Sequence, residues 1–284
     1  MEISVVYLAW AGAGPAAVER FVTSLAAHSP GTEHTLVVAW KGYEDAETFG
    51  RAQQCLAGVD HEDLVIGAEG LDLTSYRAIA DRVRVEAICF LNTQSVIAGD
   101  GWLAALSGHL SSPGVGLVGA TGSYESPLSG RRWPLRLLRT GRYPPFPNPH
   151  VRTNAFMLRR ATMLDLWWPA VASKRAAWEL ESGTRSVTRQ IEARGLAALV
   201  IGRDGHAYPR ERWRDSRTFR VDGQPNLMVH DNRTRQYAEA DARFRRRLTW
   251  LAWGDGTAAP PLDDAARTAG LPIRALLALV RVAP

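Results

Sequence analysis

Short β-branched runs alternate with helically spaced segments through the first hundred residues, and this rhythm constrains the fold more than any other feature of the chain. Residues 3–9 read as a strand, followed by the turn Gly12-Ala13-Gly14-Pro15 and a helix over 15–27. Further strands are expected at 35–40, 64–67 and 87–91, with helical spacing between them at about 45–56 and 75–83. Strands separated by helices pair side by side in parallel, so the pattern predicts an α/β fold: a largely parallel sheet with helices on both faces. Ligands of such sheets lie beyond the carboxyl ends of the strands. Those ends are Ala9 and Trp10, Lys41 and Gly42, Glu69 to Asp72, and Asn92 to Ser95.

Beyond Gly99 the pattern loosens. A helix capped by Asp100 is expected over 100–109, then a strand at 115–119 and a long loop rich in Pro, Gly and Arg from about 123 to 149. A strand at 154–158, an amphipathic helix at 183–193 stopped by Gly195, and a strand at 199–201 follow. The remainder reads as a polar loop at 203–225 and one long helix at 232–253. No repeat or linker interrupts the chain, so the expectation is one domain, 1–253, with a tail at 254–284.

Composition narrows the class. With 284 residues, 46% hydrophobic and 22% charged, the chain can bury a substantial core and is too apolar to be disordered. Cys55 and Cys89 are the two cysteines, too few for a disulfide scaffold, and reduced thiols are expected. Met1-Glu2-Ile3-Ser4 has no basic stretch ahead of the first apolar run, and no run reaches the roughly 18 apolar residues of a spanning helix. These features predict a cytoplasmic protein, peripheral at most on the inner face of the membrane. The net charge is +5, and only Lys41 and Lys174 among the 34 basic residues are lysines. Arginine binds phosphates and carboxylates bidentately, which favours an anionic ligand. The arginines are spread along the chain without a recognition motif, so nucleic acid is not an expected partner.

Several blocks carry a family resemblance. The N-terminal strand and Gly-rich turn, Phe90-Leu91-Asn92-Thr93-Gln94-Ser95 and Gly101-Trp102-Leu103 resemble, in that order, the nucleotide-sugar half of a GT-A glycosyltransferase of the family 2-like type. Arg152-Thr153-Asn154-Ala155-Phe156-Met157 and Glu179-Leu180-Glu181-Ser182-Gly183 resemble the acceptor side of such enzymes. The resemblance covers about residues 1 to 253, with 1–122 as the nucleotide-sugar half and 123–253 as the acceptor half. It implies a hexosyltransferase-type enzyme moving a sugar from a nucleotide-diphosphate sugar to a glycan or lipid-linked acceptor, with inversion and a carboxylate general base. Two other readings keep the fold: a catalytically silent nucleotide-sugar or glycan-binding protein, and a related nucleotidyltransferase.

The site residues follow from these blocks. Asn92 and Gln94 occupy the positions of the family's Asp-x-Asp signature. Amide oxygens are poorer ligands than carboxylates for a hard cation, so a dependence on manganese or magnesium is expected to be weak. The alternative for Asn92 is a strand terminator that bonds only to its own turn. Ala9, Trp10 and Tyr76 are candidates for the nucleotide, the two aromatics by packing on the base, and Lys41 for a phosphate or base edge. Glu181 is the candidate base, with Glu179 as the alternative and a capping acid at a helix start, opened by Gly183, as the structural reading. Arg152, Asn154, His230 and Arg233 are assigned to diphosphate or acceptor, although Asp231 as a helix cap and His230 in the core would need no ligand. The tracts Arg131 to Arg139 and Leu271 to Val282 mix cations with apolar anchors and suit an anionic membrane surface, the body of the domain or a second copy of the chain. The chain lacks the third spaced glycine of a dinucleotide fingerprint, zinc-ligand spacing, a nucleophile elbow and a Walker loop.

Overall fold

The computed structural model describes residues 1–68, 72–129, 141–169 and 174–254. In chain order the strands are β1 (Ile3–Trp10), β2 (Thr35–Lys41), β3 (Glu62–Ile66), β4 (Ala87–Leu91), β5 (Val96–Ile97) and β6 (Val115–Gly119). They continue as β7 (Gly122–Ser123), β8 (His150–Val151), β9 (Ala155–Arg159), β10 (Ala197–Ile201), β11 (Ala207–Tyr208) and β12 (Val229–His230). The helices are α1 (Pro15–Ala27), α2 (Ala46–Gln54), α3 (Asp72–Arg82), α4 (Trp102–Leu110) and α5 (Arg160–Asp165). After these come α6 (Lys174–Ser182), α7 (Val187–Glu192), α8 (Asn232–Glu239) and α9 (Ala242–Trp253).

Eight strands form one sheet in the order β11-β10-β6-β9-β4-β1-β2-β3, spanning both halves of the sequence. β1 is parallel to both β2 and β4, β3 is parallel to β2, and β10 is parallel to β6. β9 runs antiparallel to β4 and β6, and β11 antiparallel to β10. The sheet is therefore the mostly parallel one that the alternation of elements predicts. Successive side chains of a strand point to opposite faces, and here both faces are covered. In β1, Val6 and Leu8 join a core with Tyr76 and Ile79 of α3, Met163 of α5 and Leu180 of α6. Val5, Tyr7 and Ala9 face the other way, onto Phe21 of α1 and Trp102 and Leu106 of α4.

The connections create a crevice. From β1 the chain moves outward through β2 to β3, then returns by α3 to β4 on the other side of β1. The strand order reverses between β1 and β4, and ligands of open α/β sheets lie at such a point beyond the carboxyl ends. Trp10 and the segment from Asn92 to Ser95 stand there.

Local chemistry explains where several elements begin. Gly14, at φ +70°, and Pro15 at the first helical position start α1, and Asp45 caps α2 by accepting from the Thr48 N–H. Asp100 does not cap α4: its carboxylate accepts from the Ser29 N–H, and the left-handed Gly101 precedes the helix. The expected helix at 183–193 starts later, as α7 (Val187–Glu192), and a separate helix, α6, ends just before the expected start. Gly183 closes α6 by donating to the Glu179 carbonyl, and Ser186 caps α7. A Cβ at Gly183 would lie 2.6 Å from that carbonyl oxygen, so the close approach requires glycine. Glu181 consequently sits in the last turn of α6, not at a helix start. The expected helix at 232–253 divides, because Asp241 bonds the Phe244 N–H and opens α9. The ends of the long loop after residue 123 are held by pairing of β7 with β8. The cationic tracts at 131–139 and 271–282 lie outside the described residues, as does most of the third strand end, 69–71. Among the described residues no helix is long and apolar enough to cross a membrane.

Phe90 lies between Tyr76 and Phe156 with ring centroids 4.5 Å apart in the Tyr76–Phe90 pair and 5.3 Å in the Phe90–Phe156 pair, while Val65 on the edge strand is 66% exposed. We expect Phe90→Ala to cost about 3–5 kcal/mol in urea unfolding, and Val65→Ala to stay within about 0.5 kcal/mol.

Candidate functional site

At the crevice, Trp10 is half exposed and its indole lies against Gly12, where any side chain would collide with the ring. The nearest ring atom is also 4.0 Å from the position of a Cβ at Gly42, so the indole spans the turns after β1 and β2. Ala9 contributes no side chain to the crevice, being fully buried in the α1-side core. Tyr76 is likewise a core residue, packed on Phe90 and Phe156 and inaccessible to a nucleobase. Its period in α3 is that of a buried helix face, which outweighs the resemblance-based assignment. Lys41 is also buried, and its ammonium donates to Ser75 Oγ at 2.9 Å, joining β2 to α3.

Asn92 behaves as the strand terminator. Its Oδ1 accepts from the Gln94 N–H at 3.0 Å and from Ser95 Oγ at 3.1 Å. Thr93 is pinned to β1, donating to the Leu8 carbonyl and accepting from the Tyr7 hydroxyl at its own carbonyl. Gln94 is held by an arginine that the sequence reading did not single out. Arg235 donates from Nη2 to Gln94 Oε1 at 2.7 Å and from Nη1 to the Gln94 carbonyl at 3.1 Å. Pairing of His230 with Val96 in β12 and β5 brings the start of α8 to this loop. His230 is half-buried; burial, with Arg235 and Arg203, holds its imidazole below the usual value. These residues do not fit the divalent cation that the resemblance implies. Asn92 Oδ1 already accepts two bonds, and a guanidinium occupies the Gln94 side chain. No cluster of three His, Cys, Asp or Glu suited to a metal occurs among the described residues.

A cavity of about 340 Å³ opens between β7, β8, α6 and the loop before α8. Glu125, His150, Arg152, Trp178, Glu181, Phe219, Arg220 and Arg233 line it. Arg152 is buried and donates to Asp231 Oδ2 at 2.6 Å, while its guanidinium lies 4.1 Å from the Phe219 ring centre. Burial alone would push the Asp231 carboxyl up. The Arg152 charge and the Thr234 N–H outweigh it and hold the carboxyl below the ordinary carboxylate range. Asp231 also caps α8, accepting from the N–H groups of Arg233 and Thr234 in a capping box.

Glu181 is half-buried in the wall, and its Oε1 accepts from Thr153 Oγ1 at 3.1 Å and from the Thr153 N–H at 3.4 Å. Glu179 is absent from the lining. Beside Glu181, burial lowers the His150 imidazole, against the opposing pull of the Glu181 charge. Arg233 projects into the cavity from the first turn of α8. Asn154 stands between cavity and crevice: its carbonyl accepts from the Asn92 N–H, and its Oδ1 from Thr121 Oγ1 at 2.7 Å.

Arg220, also missed in the sequence, pairs with Glu125 at 2.9 Å, and burial pulls its guanidinium down to about 10. It comes from a segment with four non-glycine residues at positive φ: Arg217, Arg220, Asp222 and Gln224. Gln224 braces the bend by accepting from the Arg220 N–H and donating to the Thr234 carbonyl. Strain of this kind persists only where the surroundings enforce it. Nothing in the sequence of a polar, arginine-rich loop announces it; the aromatic residue Phe219 between basic residues is the nearest signal.

No family model matches the chain, and no curated protein matches it. Solved structures similar to it include glucosyl-3-phosphoglycerate synthase from Mycobacterium tuberculosis, at 15% identity and a TM-score of 0.40 over 62% of this chain and 61% of that one. The mannosyltransferase from Pyrobaculum calidifontis is similar at 16% identity and a TM-score of 0.47, over 98% and 79%. TarS from S. aureus is similar at 12% identity and a TM-score of 0.42, over 88% and 70%. The match thus spans about three fifths of the mycobacterial synthase.

The titrating groups of the site set an acid limit to stability. His150 and His230 are held down in the fold, so the unfolded chain takes up protons first as the pH falls below about 6.5. Asp231 is held down as well, and its contribution is present above about 3.9 and lost as the pH falls through its lower folded value. Urea unfolding across pH should show stability declining below about 6.5 and again below about 3.9. Arg152→Met should cost about 3–5 kcal/mol at neutral pH, because it leaves the Asp231 carboxylate buried and unpaired.

Proposed function

We propose that the chain is an inverting glycosyltransferase that moves a hexosyl group from a nucleotide-diphosphate sugar to a hydroxyl of a glycan or lipid-linked acceptor. The observation that supports this best is the continuity of two sites. The Asn92 N–H bonds Asn154, Asn154 bonds Thr121, Thr121 accepts from Arg152, and Arg152 pairs with Asp231. One short hydrogen-bonded path thus joins the crevice at the β1/β4 reversal to a cavity that carries a carboxylate.

In this reading residues 1–122 hold the donor, with the base against Trp10 and the diphosphate near Gln94. Residues 123–253 hold the acceptor. Trp178, 38% exposed in the cavity wall, offers an aromatic face to an acceptor sugar ring. The acceptor oxygen attacks the anomeric carbon, the nucleoside diphosphate leaves with the electron pair of the broken C–O bond, and Glu181 takes the hydroxyl proton. The two hydrogen bonds from Thr153 to Glu181 Oε1 fix the carboxylate and leave Oε2 for that proton. Donor binding and transfer depend weakly on divalent cations, since the amide positions suit a cation poorly. The cationic-apolar tracts at 131–139 and 271–282 suit contact with an anionic membrane or a second copy of the chain.

The absence of acidic residues at positions 92 and 94 favours one competing reading, a protein that binds nucleotide sugars without transfer. Calorimetry with uridine, guanosine, thymidine and adenosine diphosphates, followed by donor turnover with and without glycan acceptors, separates the two. Binding with turnover supports transfer, binding alone supports the silent protein, and no binding of any of the four contradicts both. We expect Glu181→Gln to lower single-turnover transfer by about 10²–10⁴-fold with donor affinity nearly unchanged. Transfer near wild type by a well-folded variant would contradict Glu181 as the base.

A further inference from the structure

We infer that Arg235, clamped on Gln94 at the β1/β4 crevice, supplies the fixed positive charge that a donor's diphosphate meets, in the place where a divalent cation would otherwise act. The inference rests on the glycosyltransferase reading above. Its geometric basis is independent of that resemblance: the strand order reverses between β1 and β4, and the loop after β4 carries Gln94 at that point.

Four observations carry it. Gln94 presents both a side-chain and a backbone oxygen to the same guanidinium, at 2.7 and 3.1 Å, which fixes the plane of Arg235 as well as its position. Two of the five guanidinium N–H groups are used in this clamp, so three remain to donate. Arg235 makes no ion pair among the described residues, unlike Arg152 and Arg220, whose charges are met by Asp231 and Glu125. It is partly exposed, so an incoming anion can reach it. A guanidinium that neutral oxygens orient and no carboxylate neutralises is suited to a phosphate, which it contacts bidentately. A leaving diphosphate gains charge as the glycosidic bond breaks, and a fixed cation there stabilises the transition state. Placed on Gln94, the same guanidinium also keeps a metal ion off the amide oxygen.

The test is calorimetry of the full chain with uridine, guanosine, thymidine and adenosine diphosphates, each in chelator and each with added manganese. We expect wild type to bind at least one of them with an affinity that manganese changes by less than about threefold. Arg235→Gln should weaken that binding by about 10- to 100-fold, and Arg235→Lys by less, because the charge is kept while the planar fork is lost. A role confined to holding the loop would lower the urea midpoint of both variants and leave diphosphate affinity unchanged, which would overturn the inference. Wild-type binding only in manganese would overturn it too. Failure of wild type to bind any diphosphate under either condition would overturn the glycosyltransferase reading itself.

Discussion

The buried pair between Arg152 and Asp231 is the joint on which both sites depend. Removing one member of a buried pair costs about 3–5 kcal/mol, a large part of the 5–15 kcal/mol that keeps a domain folded. Here the pair also does geometric work. Arg152 leaves β8 beside the cavity, and Asp231 caps the helix that carries Arg233 and Arg235. Those two arginines are separated by about 200° around the helix axis, given 3.6 residues per turn. One therefore faces the cavity while the other reaches Gln94. A single capped helix end sets the spacing between the crevice and the cavity.

The cavity is crowded with charge that is mostly answered from within. Arg152 meets Asp231, Arg220 meets Glu125, and Thr153 holds Glu181. Paired charges with fixed hydrogen bonds are preorganised, so little reorganisation accompanies charge movement during a reaction. The strained bend around Arg220 belongs to the same design. A left-handed backbone at a non-glycine residue is costly, and Gln224 and Glu125 hold it in place to set a guanidinium in the cavity wall.

Much of the frame was legible in the residues. The β4 strand at 87–91 and helix α1 at 15–27 are found where alternation and the Gly14-Pro15 start place them, because burial on both sheet faces and local caps leave strong periodic signals. Trp10 at the end of a strand was legible as well, and Glu181, singled out through its block's resemblance, lies in the wall of a cavity. What was not legible depends on distance in sequence. Tyr76 offers an aromatic face and Lys41 a charge to a ligand, but both are buried, Tyr76 against Phe90 and Lys41 on Ser75. Arg235 and Gln94 are 141 residues apart, so no local pattern links them. The break of the last helix at Asp241 and the later start of α7 after Ser186 are capping events, which periodicity over an apolar stripe overlooks.

In the proposed reaction donor and acceptor meet where the β1/β4 crevice adjoins the Glu181 cavity. The most direct measurement is a crystal structure of the chain with whichever nucleoside diphosphate binds it. The base is expected on Trp10, the diphosphate within hydrogen-bond reach of Arg235, and the terminal phosphate directed toward Glu181. A nucleotide bound elsewhere, for instance in the cavity of about 510 Å³ beside His34 and His61 at the opposite end of β2, would contradict this arrangement.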